Sequence, residues 1–288
     1  MECLEETCIS HISEAAAQLT KSRPVYGTVL EYYVRMFTAQ KNSENRLSID
    51  SITIPEAILE LKRKEQLPLI SPSEFVIDQD ESARLFGFIG EITQTANTQM
   101  KNTVNPIISR VERNELDLKS VFGMFLQSDE TGFQETAEKL GIDTQTLSFL
   151  TYNSIKPSLL KCSEALSCYL GPDMPWEKGI CPVCGGTVAI SLLDKNGRRC
   201  MCCSFCWHQW TVQRVQCPKC GNRDSKSLEY YRIEGETEYR LDVCNKCKAY
   251  IKTIDMRNTD RKIYPQLEAC STVHLDWIAR EKGYLCTE

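Results

Sequence analysis

Between Pro24 and Gln40 the apolar positions Val25, Val29, Tyr32, Tyr33, Met36 and Phe37 recur every three or four residues. That spacing is the stripe of an amphipathic helix that packs inward. A second helix is predicted from Pro55, whose fixed φ suits a first turn, through Ile58, Leu59 and Leu61 to the Leu67-Pro68 breaker. Helical spacing continues over 80–99 and over 107–127, where Ile108, Val111, Val121, Phe122 and Phe125 carry it. Glu135 to Leu140 ends at Gly141, a natural C-cap, and Asp143 can cap a following helix through Leu147, Leu150 and Tyr152. Leu159, Leu160, Leu166 and Leu170 predict another helix between Pro157 and the Gly171-Pro172 break. Residues 1–175 therefore read as an all-α domain.

The period changes after the proline- and glycine-bearing stretch 171–180 (GPDMPWEKGI), where the domain boundary is expected. Short runs at 188–193, 210–215, 228–233 and 249–254 read as strands, each next to a pair of cysteines. Leu267 to Lys282 returns to helical spacing and stops at Gly283. The expected class is α plus small β. An all-α domain (1–175) precedes two small metal modules (176–215 and 216–262) and a C-terminal helix (263–288).

With 288 residues, 42% hydrophobic and 25% charged, the chain has room for about two domains with a real core. Ten of its sixteen cysteines fall between Cys181 and Cys247, so they form a local device. A secreted disulfide scaffold is typically short and led by a signal peptide. Met1 to Thr20 has no basic start and no long apolar run, and no segment approaches the roughly eighteen apolar residues of a spanning helix. A cytoplasmic chain without membrane insertion is expected.

The ten cysteines include four Cys-x-x-Cys pairs, Cys181/Cys184, Cys203/Cys206, Cys217/Cys220 and Cys244/Cys247. Eight thiols at that ribbon-type spacing fill two four-sulfur sites, the usual closed coordination of Zn²⁺ or a single iron. The order pair, strands, pair occurs twice, which groups Cys181/Cys184 with Cys203/Cys206 and Cys217/Cys220 with Cys244/Cys247; the sequence leaves an interleaved grouping open. Gly185 and Gly221 follow the second cysteine of their pairs and free the backbone to take φ > 0. Trp207 and Lys248 stand at that place in the other pairs, whose turns must take a less favoured conformation. Cys200/Cys203 is also a Cys-x-x-Cys. The Cys203/Cys206 frame is preferred because it leaves a strand starting near Trp210, with Cys200 and Cys202 buried. The alternative is a spare thiol that exchanges with a ligand or closes a reversible disulfide. Spacing does not separate zinc from iron. Metal binding worth about 10–16 kcal/mol would by itself account for the cysteines as a scaffold, with a redox role as the competing reading.

Charge changes the picture of partners. Residues 1–175 carry 16 Lys+Arg against 25 Asp+Glu, and 176–262 carry 16 against 10. Two four-thiolate sites at about −2 each bring the basic region close to neutral, so nucleic acid is not an expected partner. His11, His208 and His274 are the only histidines, and none sits in a recognisable nucleophile and base arrangement; no phosphate loop is present, and an enzyme has no positive support. His208 reads as an exposed bystander near Cys206. Trp207, Trp210, Tyr230, Tyr231, Tyr239 and Tyr250, interleaved with Arg214, Arg232, Arg240 and Lys252, form either a recognition surface or the packing around the cysteine turns.

Ile180-Cys-Pro-Val-Cys-Gly-Gly186, then Cys203-x-x-Cys206 with Trp210 and Arg214, then Cys217-x-x-Cys220 and Cys244-x-x-Cys247 with Tyr250-Ile-Lys-Thr-Ile254, resembles the formate dehydrogenase accessory protein family FdhE. Leu275-Asp276 with Gly283-Tyr284 is similar to that family's C-terminal helix. The resemblance covers 176–288 and extends weakly to 25–40. It implies a cytoplasmic maturation factor, not an enzyme, built from a helical N-terminal domain and two rubredoxin-like modules. Such a factor binds the catalytic subunit of a molybdenum or tungsten formate dehydrogenase before export or assembly. It also implies Cys181, Cys184, Cys203, Cys206, Cys217, Cys220, Cys244 and Cys247 as ligands of two metal ions per chain, iron or zinc. Cys200 and Cys202 are outside the pattern. The competing functions are a rubredoxin-like electron carrier and a zinc-ribbon nucleic-acid binder.

Overall fold

The helical spacing is realised as α2 (Gly27–Glu44), α3 (Glu56–Lys64), α4 (Gln79–Gln94), α5 (Thr98–Glu112), α6 (Leu118–Leu126), α7 (Glu130–Leu140) and α8 (Thr144–Ser167), preceded by a helix that the spacing did not single out, α1 (Ile9–Ser22), in a computed structural model that describes residues 8–171, 176 and 178–286. Residues 172–175 and 177, within the expected domain boundary, lie outside the described residues. Pro55 immediately precedes α3, Gly141 closes α7 in the left-handed region at φ 64°, and the Asp143 carboxylate accepts from the Thr146 N–H at 2.7 Å, as the cap rules require. Among the described residues no helix is long and apolar enough to cross a membrane.

Several details differ from the sequence reading: the run 80–99 ends as α4 at Gln94 and α5 starts at Thr98, and the strand expected over 210–215 is Gln209–Val212. The run 107–127 is divided between α5 and α6, because Asn114 takes φ 55° and Asp117 caps a new helix. The helices expected on either side of Pro157 are the single helix α8. Proline removes the N–H that would bond the carbonyl of Asn153, and the buried Gln40 side chain donates to that oxygen at 2.8 Å instead. The stripe of α2 is also displaced: Val25 and Val29 are exposed, while Leu30, Met36 and Phe37 are buried.

The chain divides into two compact units, Met1–Leu30 with Thr53–Leu69 and Leu166–Glu288, and Glu31–Ile52 with Ile70–Ala165. The second is helical, with a core that includes Phe86, Ile89, Ile107, Phe122, Leu147 and Leu150. Its buried Glu81 accepts from Ser43 at 2.6 Å and pairs with Arg46 at 2.9 Å and with Arg84.

The first unit contains β1 (Val188–Leu193), β2 (Arg199–Cys203), β3 (Gln209–Val212), β4 (Leu228–Ile233), β5 (Glu236–Cys244) and β6 (Tyr250–Asp255), followed by α9 (Pro265–Ser271) and α10 (Val273–Glu281). The single C-terminal helix expected from 267 to 282 is thus two, separated at Thr272. All six strands form one sheet in the order β3-β2-β1-β6-β5-β4. Each repeat of the sequence is an antiparallel meander, and the two meanders join through a parallel β1–β6 pair with Ser191 opposite Thr253. Strand alternation gives the sheet two unlike faces. Ile190, Leu192, Tyr239, Leu241, Val243 and Ile254 pack on one face with Leu275 and Ala279 of α10.

The other face is polar and largely buried. Arg199 donates to Ser191 at 3.2 Å and to the Gln216 carbonyl at 3.0 Å, and pairs with Asp242 at 3.1 Å. Arg240 pairs with the same carboxylate at 3.0 Å, and Thr253 donates to it at 2.5 Å. Arg232 lies directly opposite Arg240 across the β4–β5 pair, a like-charge juxtaposition that carboxylates must offset. Asp255 does this, at 3.5 Å from Arg232 and 2.7 Å from Arg257. The Arg257 guanidinium holds the Asp255 carboxyl below its ordinary range although burial acts the other way. A carboxylate whose pKa is depressed by folding stabilises the native state above its unfolded value, near 3.9, and that contribution is lost as the pH falls through the folded value. Wild-type protein is expected to lose stability below about pH 4 more steeply than Asp255→Asn, and urea midpoints measured across the acid range check it.

Candidate metal centres

Each cysteine pair sits on a turn of the same construction. The N–H of the first cysteine bonds a carbonyl five residues on: Cys181 to Gly186 at 2.8 Å, Cys203 to His208 at 3.0 Å, Cys217 to Asn222 at 2.8 Å and Cys244 to Ala249 at 2.9 Å. The residue after the second cysteine is left-handed in all four, at φ 74° in Gly185, 58° in Trp207, 67° in Gly221 and 59° in Lys248. The turn itself requires that conformation, and two of the four repeats adopt it without glycine. A non-glycine residue there carries a strain of about 1 kcal/mol. Lys248→Gly is therefore expected to raise stability by about 0.5–1 kcal/mol, measured as a shift in the denaturant midpoint. Gly186 meets a different demand. A Cβ at this position would lie 2.9 Å from the Cys203 sulfur and 3.3 Å from that of Cys184, so only glycine leaves room for the sulfurs.

The turns converge in two quartets, Cys181, Cys184, Cys203 and Cys206, and Cys217, Cys220, Cys244 and Cys247, the thiols of each lying within 4.8 Å of one another. This is the grouping that the sequence repeat suggests. Sulfur separations are 3.5 Å for Cys184–Cys203 and Cys184–Cys206, 3.6 Å for Cys181–Cys206 and Cys217–Cys247, and 3.8 Å for Cys220–Cys244. The edge of a tetrahedron with metal–sulfur bonds of about 2.3 Å is about 3.8 Å, whereas a disulfide would bring two sulfurs to about 2.05 Å. Both quartets have the size and donor set to hold one thiophilic ion each.

Strand alternation settles the reading frame in the second turn. On β2, Arg199, Met201 and Cys203 point to one face and Cys200 and Cys202 to the other, where both pack among Ile190, Leu192 and Leu241 in the apolar core. Burial pushes the Cys202 thiol up. Cys202 is thus held away from the sulfurs that its neighbour Cys203 joins.

Protonation differs within each quartet. Burial pushes Cys181 and Cys206 up; in Cys203 burial acts upward too, but hydrogen bonds from Cys181, Cys184 and Cys206 bring it well below the ordinary thiol value. In the second quartet burial pushes Cys217 and Cys247 up, while the N–H groups of Cys247 and Lys246 bring Cys244 down to about 7 against burial. A cation entering either site displaces protons from the remaining thiols.

The two quartets differ most in their surroundings. All four cysteines of the first are buried, and the turn tips carry Val183 and Phe205. The Pro182 carbonyl accepts from the Leu69 N–H at 2.9 Å, which ties that tip to the segment after α3. In the second, Cys220 is exposed and Cys247 half-buried, and the tips carry Lys219 and Lys246. The C-terminal segment secures the last turn: Leu285 exchanges backbone bonds with Lys248 and Tyr250, and the Tyr284 hydroxyl donates to Asn245 at 2.8 Å.

His208 is not an exposed bystander. It is half-buried and stacked on Trp210 at an interplanar angle of 3°, and burial lowers its pKa to about 4. The aromatic and basic residues, which read as either a recognition surface or packing around the cysteine turns, are divided between the faces of the sheet and are in large part packing. Tyr239, Tyr250 and Trp210 are buried, Lys252 pairs with Asp276 at 2.8 Å, and Tyr230 is exposed with the Arg240 guanidinium 5.0 Å from its ring. Arg199 and Asp242 were not singled out from sequence, since only the β1–β6 join of the two meanders brings them together.

No family model matches the chain. The protein FdhE homolog of Aquifex aeolicus (strain VF5) is 27% identical over 276 residues, covering 94% of this chain and 90% of that protein. The protein FdhE homolog of Haemophilus influenzae (strain PittEE) is 29% identical over 108 residues, 36% of this chain and 35% of that one. The crystal structure of the FdhE protein from Pseudomonas aeruginosa superposes with a TM-score of 0.67 at 15% identity, covering 98% of this chain and 95% of that chain, and so shares the fold.

Proposed function

We propose that the chain is a member of the FdhE family, on its 27% identity to the Aquifex aeolicus homolog over 94% of its length, and that it is a cytoplasmic accessory factor that binds the catalytic subunit of a formate dehydrogenase and assists its assembly. The observation that carries this reading is the likeness to the Aquifex aeolicus protein, which spans 94% of the chain rather than the cysteine region alone. On this reading each module, 176–215 and 216–262, loads one iron or zinc ion, through Cys181, Cys184, Cys203 and Cys206 in the first and Cys217, Cys220, Cys244 and Cys247 in the second. The ions hold the sheet in shape, and the chain acts by binding rather than by catalysis.

The test is anaerobic co-purification of the tagged chain with the catalytic subunit of a formate dehydrogenase from the same source. A complex that survives washing is expected, and its absence contradicts the proposal. A second reading, electron transfer to a partner, is favoured by one observation: Cys220 brings the second quartet to the surface. It requires iron. Two zinc ions and no visible absorption in anaerobically purified protein would eliminate it.

A further inference from the structure

The second quartet is set in a rim of cations that the first lacks. Lys219 lies between Cys217 and Cys220, Lys246 lies between Cys244 and Cys247, and Lys248 follows Cys247; all three are exposed. Because those four cysteines converge, the turns that carry the three lysines meet at one point of the surface, with the Lys248 ammonium 5.5 Å from the centre of the Tyr284 ring. Arg214 is exposed, and among the described residues no ion pair engages it. A four-thiolate site with a divalent ion carries about −2, so the three lysines more than offset it and the rim stays cationic.

A cavity of about 220 Å³ opens beside this rim. Cys217 and Cys244 belong to both the cavity wall and the quartet, Arg214 and Arg240 line it, and Leu228 and Ile251 supply apolar surface. A cavity of roughly 150 Å³ accepts benzene, so this one has room for a large apolar or aromatic side chain. A cationic rim around a pocket for one anchoring side chain is the arrangement of a protein interface with a central hot spot.

We infer that the second four-cysteine centre, with Lys219, Lys246, Lys248, Arg214 and the adjoining cavity, is a docking surface for an acidic segment of a protein partner that carries one apolar anchor. The inference deepens the accessory reading and rests on it only for the identity of the partner. Protein is favoured over nucleic acid because the cavity beside the rim offers the apolar wall of Leu228, Val243 and Ile251, which suits one buried anchoring side chain and gives a phosphate backbone nothing to bind.

The probe is a fluorescent peptide of glutamates around one phenylalanine, titrated into the metal-loaded full chain. The comparison is between Lys219→Glu/Lys246→Glu/Lys248→Glu and a control of the same charge change at exposed lysines elsewhere, Lys64→Glu/Lys101→Glu/Lys139→Glu. The rim variant is expected to bind about tenfold more weakly, through the loss of three exposed charge contacts, and the control to bind like wild type. Lys219→Gln/Lys246→Gln/Lys248→Gln guards against loss of the metal, and should bind at an intermediate strength with its metal content unchanged.

Equal weakening in rim variant and control overturns the inference, as does unchanged binding in the rim variant, absence of measurable binding to wild type, or tighter binding of an oligonucleotide of equal charge. The catalytic subunit of a formate dehydrogenase then separates the two claims. If it binds the rim variant as well as wild type, the docking surface is wrong and the accessory reading stands. If the peptide behaves as expected and the subunit binds neither protein, the accessory reading is wrong and the surface stands.

Discussion

Cys203→Ser is expected to empty the first centre and to abolish cooperative folding of the sheet. The four thiols of that centre are buried, and Cys203 ends the strand that pairs with both β1 and β3. A structural ion bound with about 10–16 kcal/mol of apparent energy matches or exceeds the 5–15 kcal/mol by which a typical domain is stable. Losing it removes the margin. Cys220→Ser should behave differently, because Cys220 is exposed whereas all four cysteines of the first centre are buried. That variant is expected to keep one ion per chain and a cooperative unfolding transition at a lower midpoint. Elemental analysis with circular dichroism during thermal unfolding distinguishes the two outcomes. Equal effects from both substitutions would refute the unequal roles assigned to the centres.

Asp242→Ala is expected to destabilise the protein by about 3–5 kcal/mol, the usual cost of leaving a buried charge without its partner. Arg199 and Arg240 both lean on this carboxylate, and their side chains are only 5% and 10% exposed. Burial pulls the Arg199 guanidinium below its ordinary value, and Asp242 is the main group that opposes this. Removing the cation as well should recover part of the loss. Asp242→Ala combined with Arg199→Met is expected to be more stable than Asp242→Ala alone, because the second change deletes an unpaired buried charge and keeps an apolar stem. Denaturant unfolding of the two single variants and the double variant closes the cycle. A double variant no better than the sum of the two losses would mean that the pair carries no coupling.

The parts of the fold that were legible in the sequence are those with local causes. Val188–Leu193 and Leu228–Ile233 are strands over the residues that their composition indicated, and Gly185 and Gly221 hold the left-handed positions that their place after a cysteine pair demands. Strands β2 and β5 were obscured because Arg199, Arg240 and Asp242 occupy positions where an apolar residue marks a buried strand. Their charges are neutralised across the sheet by residues as far apart in sequence as 199 and 242, a relation that no window of sequence contains. The join of the two meanders through β1 and β6 is hidden for the same reason. Pro157 misled in the opposite direction: its helix-breaking tendency is local, while the Gln40 amide that compensates for it lies on another helix. The cysteine quartets could be read because four repeated pairs and a doubled order constrain their grouping. The difference between a buried and an exposed centre could not, since it depends on what each turn packs against.

Metal content of anaerobically purified full-length protein, compared between wild type and Cys220→Ser, tests the central claim most directly. Two independent four-cysteine centres predict two ions per wild-type chain and one per chain in the variant, with Cys181, Cys184, Cys203 and Cys206 still protected from a thiol reagent. Fewer than one ion in the wild type, with the thiols of both quartets reacting freely in a folded chain, would contradict it.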